Sequence, residues 1–425
     1  MKSIMMPESY PLMRYDSAKR LPRRYAAERR FKFYGKIAIL LTLGFLLTLL
    51  SGIVMRGLPA LQKAQIGLDV SFNPAFISEE GRCALSSLTS QSLQTLLPNV
   101  KKENAPSLLS LISPGSCRIL LHHLRTHPED VGRTILMWLP ASDDVDLFLK
   151  NRRMREPSQK CQRLNVRQIQ ALDHLEQKGR VKTIFNWRFF TEGDARNPEF
   201  AGIASAFAGS LYLIAISLLF AFPVGIAAAI YLEEFNRRTR LARLIEVNIS
   251  NLAAVPSIVF GLLGLALFLG VFRMPRSSAL VGGLTLGLMT LPTIIITSRS
   301  ALRAVPGSIR YAAQALGASE IQVVFHHVLP LAMPGILTGT IIGVSRALGE
   351  TAPLLMIGMM AFVTDMPRSP LDPASALPVQ IFTWVRNPEP GFMANAAAGI
   401  IVLLAFMIFM NMIAILLRRK FEHRW

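Results

Sequence analysis

Long apolar runs separated by polar, basic segments set the pattern of this chain. Six runs approach or exceed the roughly 20 residues of helix needed to cross a bilayer. They lie near residues 37–55, 203–232, 247–272, 279–298, 336–362 and 394–417, the first bounded by Lys36 and Arg56. The pattern predicts an α-helical polytopic membrane protein with six transmembrane helices. Pro256 is expected to bend the third span, and Pro330 and Pro334 to launch the fifth. The stretch 57–200 between the first two spans is polar and carries helical patterning in S-L-L-S-L-I and V-R-Q-I-Q-A-L-D-H-L-E-Q. Turn signals at Pro114-Gly115 and Pro140 punctuate it, so a small mixed domain is expected there.

Charge changes the picture by fixing orientation. The net charge of +19 over 425 residues would suit nucleic acid if it were clustered on one soluble face. Instead the first 36 residues carry ten Lys/Arg against three acids, loop 233–246 holds Arg237, Arg238, Arg240 and Arg243, and the tail 418–425 is basic. Loop 299–335 adds Arg299, Arg303 and Arg310. With both termini in the cytoplasm, six crossings bring all these segments inside, as the positive-inside rule requires. The outer loop 363–393 has two basic residues against three acids; Arg273 and Arg276 in the short linker 273–278 dissent. Charge thus encodes topology and excludes nucleic acid as the partner, leaving the lipid bilayer. The basic arm 1–36 lacks apolar periodicity and is read as unstructured. The first span, 37–55, is read as a retained helix because its run exceeds a signal-peptide core and no small-residue cleavage site follows Arg56.

Candidate chemistry is sparse. The pair Gly35-Lys36 has Arg30 where a phosphate-binding loop needs its first glycine, and no metalloprotease or hydrolase motif occurs. All three cysteines, Cys83, Cys117 and Cys161, fall in 57–200, where an extracytoplasmic setting allows one disulfide and leaves one thiol, the pairing open. Cys117, His122, His123 and His127 lack the companion ligands of a metal site and are read as an amphipathic helix face, with no metal. The fifth span is richer. Gly335, Gly339 and Gly343 recur every fourth residue, a spacing that lets helix backbones approach closely in a membrane. Arg346 and Glu350 share the adjoining face. Counted from Ile336, Arg346 falls about 15 Å in, near the midplane, where a charge must be paired or face water. A substrate pathway or gate at Arg346, Glu350 and Thr351 is favoured over a pair that only fixes packing. Gly349 and Pro353 are expected to weaken the helix there.

Two motifs carry a family resemblance. Residues 311–330, Y-A-A-Q-A-L-G-A-S-E-I-Q-V-V-F-H-H-V-L-P, resemble the E-A-A…G…L-P loop of binding-protein-dependent ABC importer permeases. Ala312, Ala313, Gly317, Leu329 and Pro330 match, and Tyr311 stands where the family usually has glutamate. S-R-A-L-G-E-T-A-P-L-L-M-I-G resembles the phosphate permeases of the PstA family, whereas sulfate and molybdate permeases tend to follow Leu-Gly-Glu with Phe-Gly-Ala. Residues 185–203 and the C-terminal stretch from L-P-V-Q-I-F-T-W are similar to the subgroup with an extra N-terminal extracytoplasmic domain.

The resemblance implies a MetI-like five-helix permease core over 203–417, with the first span as an added helix. It implies an ATPase-coupling loop at 299–335, in which Tyr311, Ala312, Ala313, Gly317, Leu329 and Pro330 meet the ATPase. The implied partners are a homologous second permease (PstC-like), an ATPase dimer (PstB-like) that uses ATP, and a periplasmic phosphate-binding protein (PstS-like). The chain itself would bind no cofactor and catalyse nothing. The implied place is the bacterial inner membrane, with 57–200 periplasmic, and the implied cargo is inorganic phosphate. A permease for another oxyanion, an ATPase-independent secondary transporter and a membrane sensor are the competing readings.

Overall fold

A computed structural model describes residues 17–72, 108–154, 164–236, 239–359 and 362–421, divided into two compact units, 1–55 and 56–425. The first unit is helical: α1 runs Ser17–Gly57. The basic arm expected to lack structure is therefore helical from Ser17 onward. Its A-A-E-R-R-F-K segment is made of strong helix formers, and Glu28 pairs with Lys32 one turn on at 2.5 Å.

The second unit begins with a small mixed domain. Its sheet has the order β2-β1-β3, with β1 (Gln62–Ser71) central and antiparallel to both β2 (Thr134–Pro140) and β3 (Val181–Phe185). Alternate β1 residues Ile66, Leu68 and Val70 are fully buried. They share a core with α2 (Ser116–Thr126), α3 (Asp143–Met154) and α4 (Val166–Gln177), through Leu120, Val145, Leu172 and Leu175. The expected helix at V-R-Q-I-Q is α4, opened by a capping box between Asn165 and Gln168. Of the expected S-L-L-S-L-I helix, Leu108 and Leu109 are helical and Ile112 bridges to Ala141 beside the sheet, while Ser107 falls outside the described residues. Cys117 lies half-buried on α2, while Cys83 and Cys161 fall outside the described residues, and with them the disulfide expectation. His123 stacks on His127 at 4.8 Å between ring centroids and hydrogen-bonds Asp130 at 3.0 Å. Among the described residues no group of three or more metal-ligating side chains converges.

Apolar helices follow: α5 (Ala204–Ile230), α6 (Arg240–Ala253), α7 (Ser257–Gly264), α8 (Ala279–Ala304), α9 (Gly307–Ala315), α10 (Leu329–Gly349), α11 (Ala352–Met356), α12 (Leu377–Arg386) and α13 (Pro390–Phe421). Among the described residues five helices are long and apolar enough to cross a membrane, or six if the bent pair α6–α7 counts as one span. That pair corrects the third span. Helix α6 starts at Arg240, well before the expected 247, and the chain turns through 104° before α7, which a wide π-type turn extends to Val271. Pro256 offers no N–H to the preceding turn and steers Val255 out of the helical region. Helix α8 is central, packed against both α5 and α10.

The small domain is bonded into the helical core. The Asp143 carboxylate at the start of α3 accepts the Gly391 N–H at 2.7 Å, and Asn395 donates to the Pro198 carbonyl at 2.8 Å. Trp384, buried on α12, donates to Asp194 at 2.9 Å. Behind this seam lies a buried cluster of Lys63, Asp146, Lys150 and Glu199. Asp146 accepts the Ala64 N–H at 2.8 Å and the Lys150 ammonium at 2.5 Å, with Lys63 at 3.6 Å. Burial pushes the Glu199 carboxyl up to about 7 against the pull of Lys63, and pushes Lys150 down to about 8.

Because the Glu199 pKa is raised on folding, the stability of its protonated form is complete below the ordinary value of 4.5 and is lost as pH rises through about 7. Glu199→Gln removes that loss. The variant should unfold at a higher temperature than the wild type at pH 8, by at most about 3 kcal/mol of stability, and at the same temperature near pH 4.5. Thermal unfolding at the two pH values tests this, and equal stabilisation at both contradicts it.

Candidate functional site

Two groups of residues carry the chemistry, at opposite ends of α10. The first surrounds α9. Pro306 starts this helix, and Gly317 ends it in the left-handed region at φ +88°, a conformation other side chains resist. The Gly317 and Ala318 N–H groups return to the carbonyls of Gln314 and Ala313 at 2.9 and 3.1 Å. A second capping box at Ser319 and Gln322 then starts the short helical stretch that widens into a π-type turn, Val323–Val328, before α10. Val323, Val324, Val328 and Ala313 are buried against Ile230, Leu232, Leu302 and Val305. The opposite face is apolar and open, with Leu316 91% exposed, Tyr311 74%, Ile321 62% and Phe325 52%. Of the loop residues singled out by sequence, Tyr311, Ala312, Gly317 and Pro330 are exposed, Leu329 is half-buried and Ala313 points inward. Leu316 and Phe325, on the open face, were not singled out.

What fastens α9 to the bundle was not singled out from sequence either. The Arg310 guanidinium donates to both oxygens of Glu234, at 3.0 and 2.6 Å, and to the carbonyls of Val305 and Leu302 at 2.7 and 2.9 Å. One planar fork thus ties α9 to the turn that follows α5 and adds a donor to two carbonyls at the end of α8. Beside it the buried Glu233 carboxylate receives Arg299 at 3.3 Å and Arg303 at 3.1 and 3.0 Å, and Arg299 reaches on to Glu246 of α6 at 3.0 Å. Three helices of the bundle therefore meet at one charge network. The only advance signal was the acidic pair Glu233-Glu234 closing an apolar run amid arginines.

The second group lies where α10 ends. The fifth span, expected over 336–362 as one helix, is corrected: the helix begins at Leu329, with Pro330 in its first turn, and stops at Gly349. Glu350 is extended (φ −81°, ψ 124°), and α11 follows after Thr351. Gly349 favours no helix, and Pro353 has no N–H for the Gly349 carbonyl, so the break falls where the two residues bracket Glu350. Arg346 accordingly occupies the last turn of α10, about 25 Å from its start at 1.5 Å per residue. A cation in that turn faces the negative end of the helix dipole. The Arg346 and Glu350 side chains approach to 3.7 Å, beyond hydrogen-bonding reach, and are 49% and 23% exposed. An ion pair this open leaves the guanidinium donors available to a passing anion.

Between the two groups runs the glycine row. A methyl on Gly335 would meet the Ala301 Cβ at 2.6 Å, and one on Gly339 would fall 1.9 Å from the Thr297 hydroxyl. At Gly343 the nearest atoms, on Ile294 and Thr290, are 3.8 Å away. The row packs α10 on α8, and Ser345 holds α10 to α13 by a 2.6 Å hydrogen bond to Asn411.

Comparison with known proteins follows the same division of the chain. A family described as binding-protein-dependent transport system inner membrane component matches residues 221–425, and a domain of unknown function matches 18–159. The second match stops before α4 and β3, which complete the small domain. The phosphate transport system permease protein PstA of Yersinia pestis is 34% identical over 229 residues, 53% of this chain and 76% of that protein. Its counterpart in Haemophilus influenzae is 31% identical over 235 residues, 55% of this chain and 81% of that protein. A chain of the MetNI methionine ABC transporter in an inward-facing conformation aligns with 51% of this chain and 95% of its own length, at 16% identity and a TM-score of 0.42.

Proposed function

The chain belongs to the PstA family of phosphate transport permeases, multi-pass proteins of the inner membrane, and we propose that it lines half of the pathway of an ATP-driven phosphate importer. The other half is a homologous second permease, PstC-like. A PstB-like ATPase dimer docks on the open apolar face around Tyr311, Leu316 and Phe325, and a PstS-like binding protein delivers phosphate at the opposite end. Both termini are cytoplasmic and 57–200 is periplasmic, the orientation that gathers the basic loops inside. The chain binds no nucleotide or other cofactor; ATP is used by the partner.

The observation that carries this reading is the joining of the two residue groups by one helix. The open loop is fastened by Arg310, passes through α10, and ends at the half-exposed Arg346 beside a helix break. Closure of the ATPases displaces the loop, and α10, held close to α8 by its glycines, moves with it as a rigid body. Arg346 then offers its planar fork to phosphate, while Glu350 offsets enough of the charge to let phosphate leave.

Arg346→Gln keeps the length and polarity of the side chain and removes the charge. Hydrogen bonds to a charged group are worth about 1.5–3 kcal/mol, so phosphate uptake by the assembled complex should fall by roughly ten-fold to a hundred-fold. Labelled-phosphate uptake at matched complex levels measures this. Near-normal uptake removes Arg346 from the pathway.

A further inference from the structure

Phe185, Trp187 and Phe190 form an exposed aromatic patch on the small domain, outside both residue groups above. Trp187 is 70% exposed and packs edge-on to Phe185 at 4.8 Å, while Phe190 stacks on Phe185 at 6.2 Å. The patch is held at a defined level by its own backbone. Asn186 takes the Leu61 carbonyl with its N–H at 2.8 Å and the Ala60 carbonyl with its side chain at 3.4 Å. Leu61 is the last residue of the candidate span Arg24–Leu61, and the α5 span starts at Ala204. Phe189, on the opposite side of the same turn, is buried against Trp384 at the outer end of the helical core. The rings are thus bonded to the residues that follow the first apolar run and come shortly before the α5 span in sequence.

Composition names the occupant. Aromatic rings beside cationic side chains at the end of a span are what the headgroup boundary selects, rings among the upper acyl carbons and cations on the phosphates. Arg188, within the patch in sequence, is partly exposed, and the exposed Arg56 and Leu58 lie just ahead of Ala60 and Leu61, the residues that Asn186 bonds. We propose that Phe185, Trp187 and Phe190 seat the small domain on the bilayer surface, with phospholipid as the partner. The domain then has three attachments: the connection to α1, the hydrogen-bonded seam with α12 and α13, and the lipid. Its sheet is held at a fixed height above the spans.

The test places the assembled transporter in nanodiscs of phosphatidylcholine brominated either at the top or near the end of the acyl chains, with iodide as the aqueous quencher. The Trp187 emission is taken as the difference between wild type and Trp187→Phe, which keeps a ring in place. The lipid seat predicts at least two-fold stronger quenching by the shallow bromine than by the deep one, and little by iodide. Quenching by iodide alone puts the ring in water, and quenching by neither agent puts it against protein. Stronger quenching by the deep bromine puts it in the hydrocarbon. Each of these three results overturns the proposal.

Discussion

Alanine at Gly339 is expected to remove most of the folded chain from the membrane, while alanine at Gly343 leaves it nearly unchanged. The added methyl at 339 would lie 1.9 Å from the Thr297 hydroxyl oxygen and 2.3 Å from its Cβ. Thr297 cannot rotate away cheaply, because its hydroxyl is bonded to the Thr293 and Ile294 carbonyls at 2.8 and 3.2 Å. Moreover, the Cβ clash remains in any rotamer. Helices α8 and α10 must therefore separate along the contact that builds the core. Overpacking typically costs about 1–3 kcal/mol, and a backbone-level clash belongs at the upper end or beyond. At Gly335 the obstacle is the Ala301 Cβ at 2.6 Å, and at Gly343 nothing lies closer than 3.8 Å. The order of damage should be 339, then 335, then 343. Thr297→Gly should rescue Gly339→Ala by vacating the space. Membrane levels of folded chain and thermal unfolding in detergent measure the series. Equal effects at 339 and 343 would refute the packing account.

That glycine row was legible beforehand because small residues at every fourth position have one physical use in an apolar helix. Its partner was not, since nothing local says that Ala301 and Thr297 of α8 fill the groove. The break at Glu350 was legible for a similar reason: Gly349 and Pro353 weaken a helix wherever it lies. The start of α10 was placed too late, at Ile336, because prolines at 330 and 334 were read as preceding the helix instead of belonging to its first turns. The helical arm was missed because its charged residues hide strong helix propensity from an argument based on apolar periodicity. Strand β1 was missed although Ile66, Leu68 and Val70 alternate with Gln65, Gly67 and Asp69; Gly67 weakens the pattern and exists to accommodate the Trp138 ring, 3.2 Å from where a Cβ would stand. The Glu233–Arg299–Arg303 and Glu234–Arg310 pairs join residues 66 to 76 positions apart. Loop arginines read correctly as topology signals gave no hint of that second use.

Arg310→Ala is expected to separate ATP hydrolysis from transport. Arg310 and Glu234 are 20% and 10% exposed, and removing one member of a buried pair costs about 3–5 kcal/mol because the other charge is stranded. The Leu302 and Val305 carbonyls lose the guanidinium donors as well. Helix α9 stays in place through Ala313 and the valines that follow it, so the apolar docking face is preserved and the complex should still assemble. What is lost is the stiff link from that face to α5 and α8. Hydrolysis should remain within about two-fold of wild type, and uptake should fall at least about ten-fold, the loss that follows when 1.4 kcal/mol or more of coupling is removed. Arg310→Lys keeps the charge but cannot span Glu234 and both carbonyls, and should fall between the two.

The most direct measurement is phosphate moved per ATP hydrolysed, in vesicles holding the complete transporter with either wild-type chain or Arg310→Ala. If residues 307–328 transmit the work of the ATPase to α10, the ratio drops several-fold or more in the variant at matched complex levels. An unchanged ratio would contradict that account, because motion would then be reaching the pathway without the link that Arg310 provides.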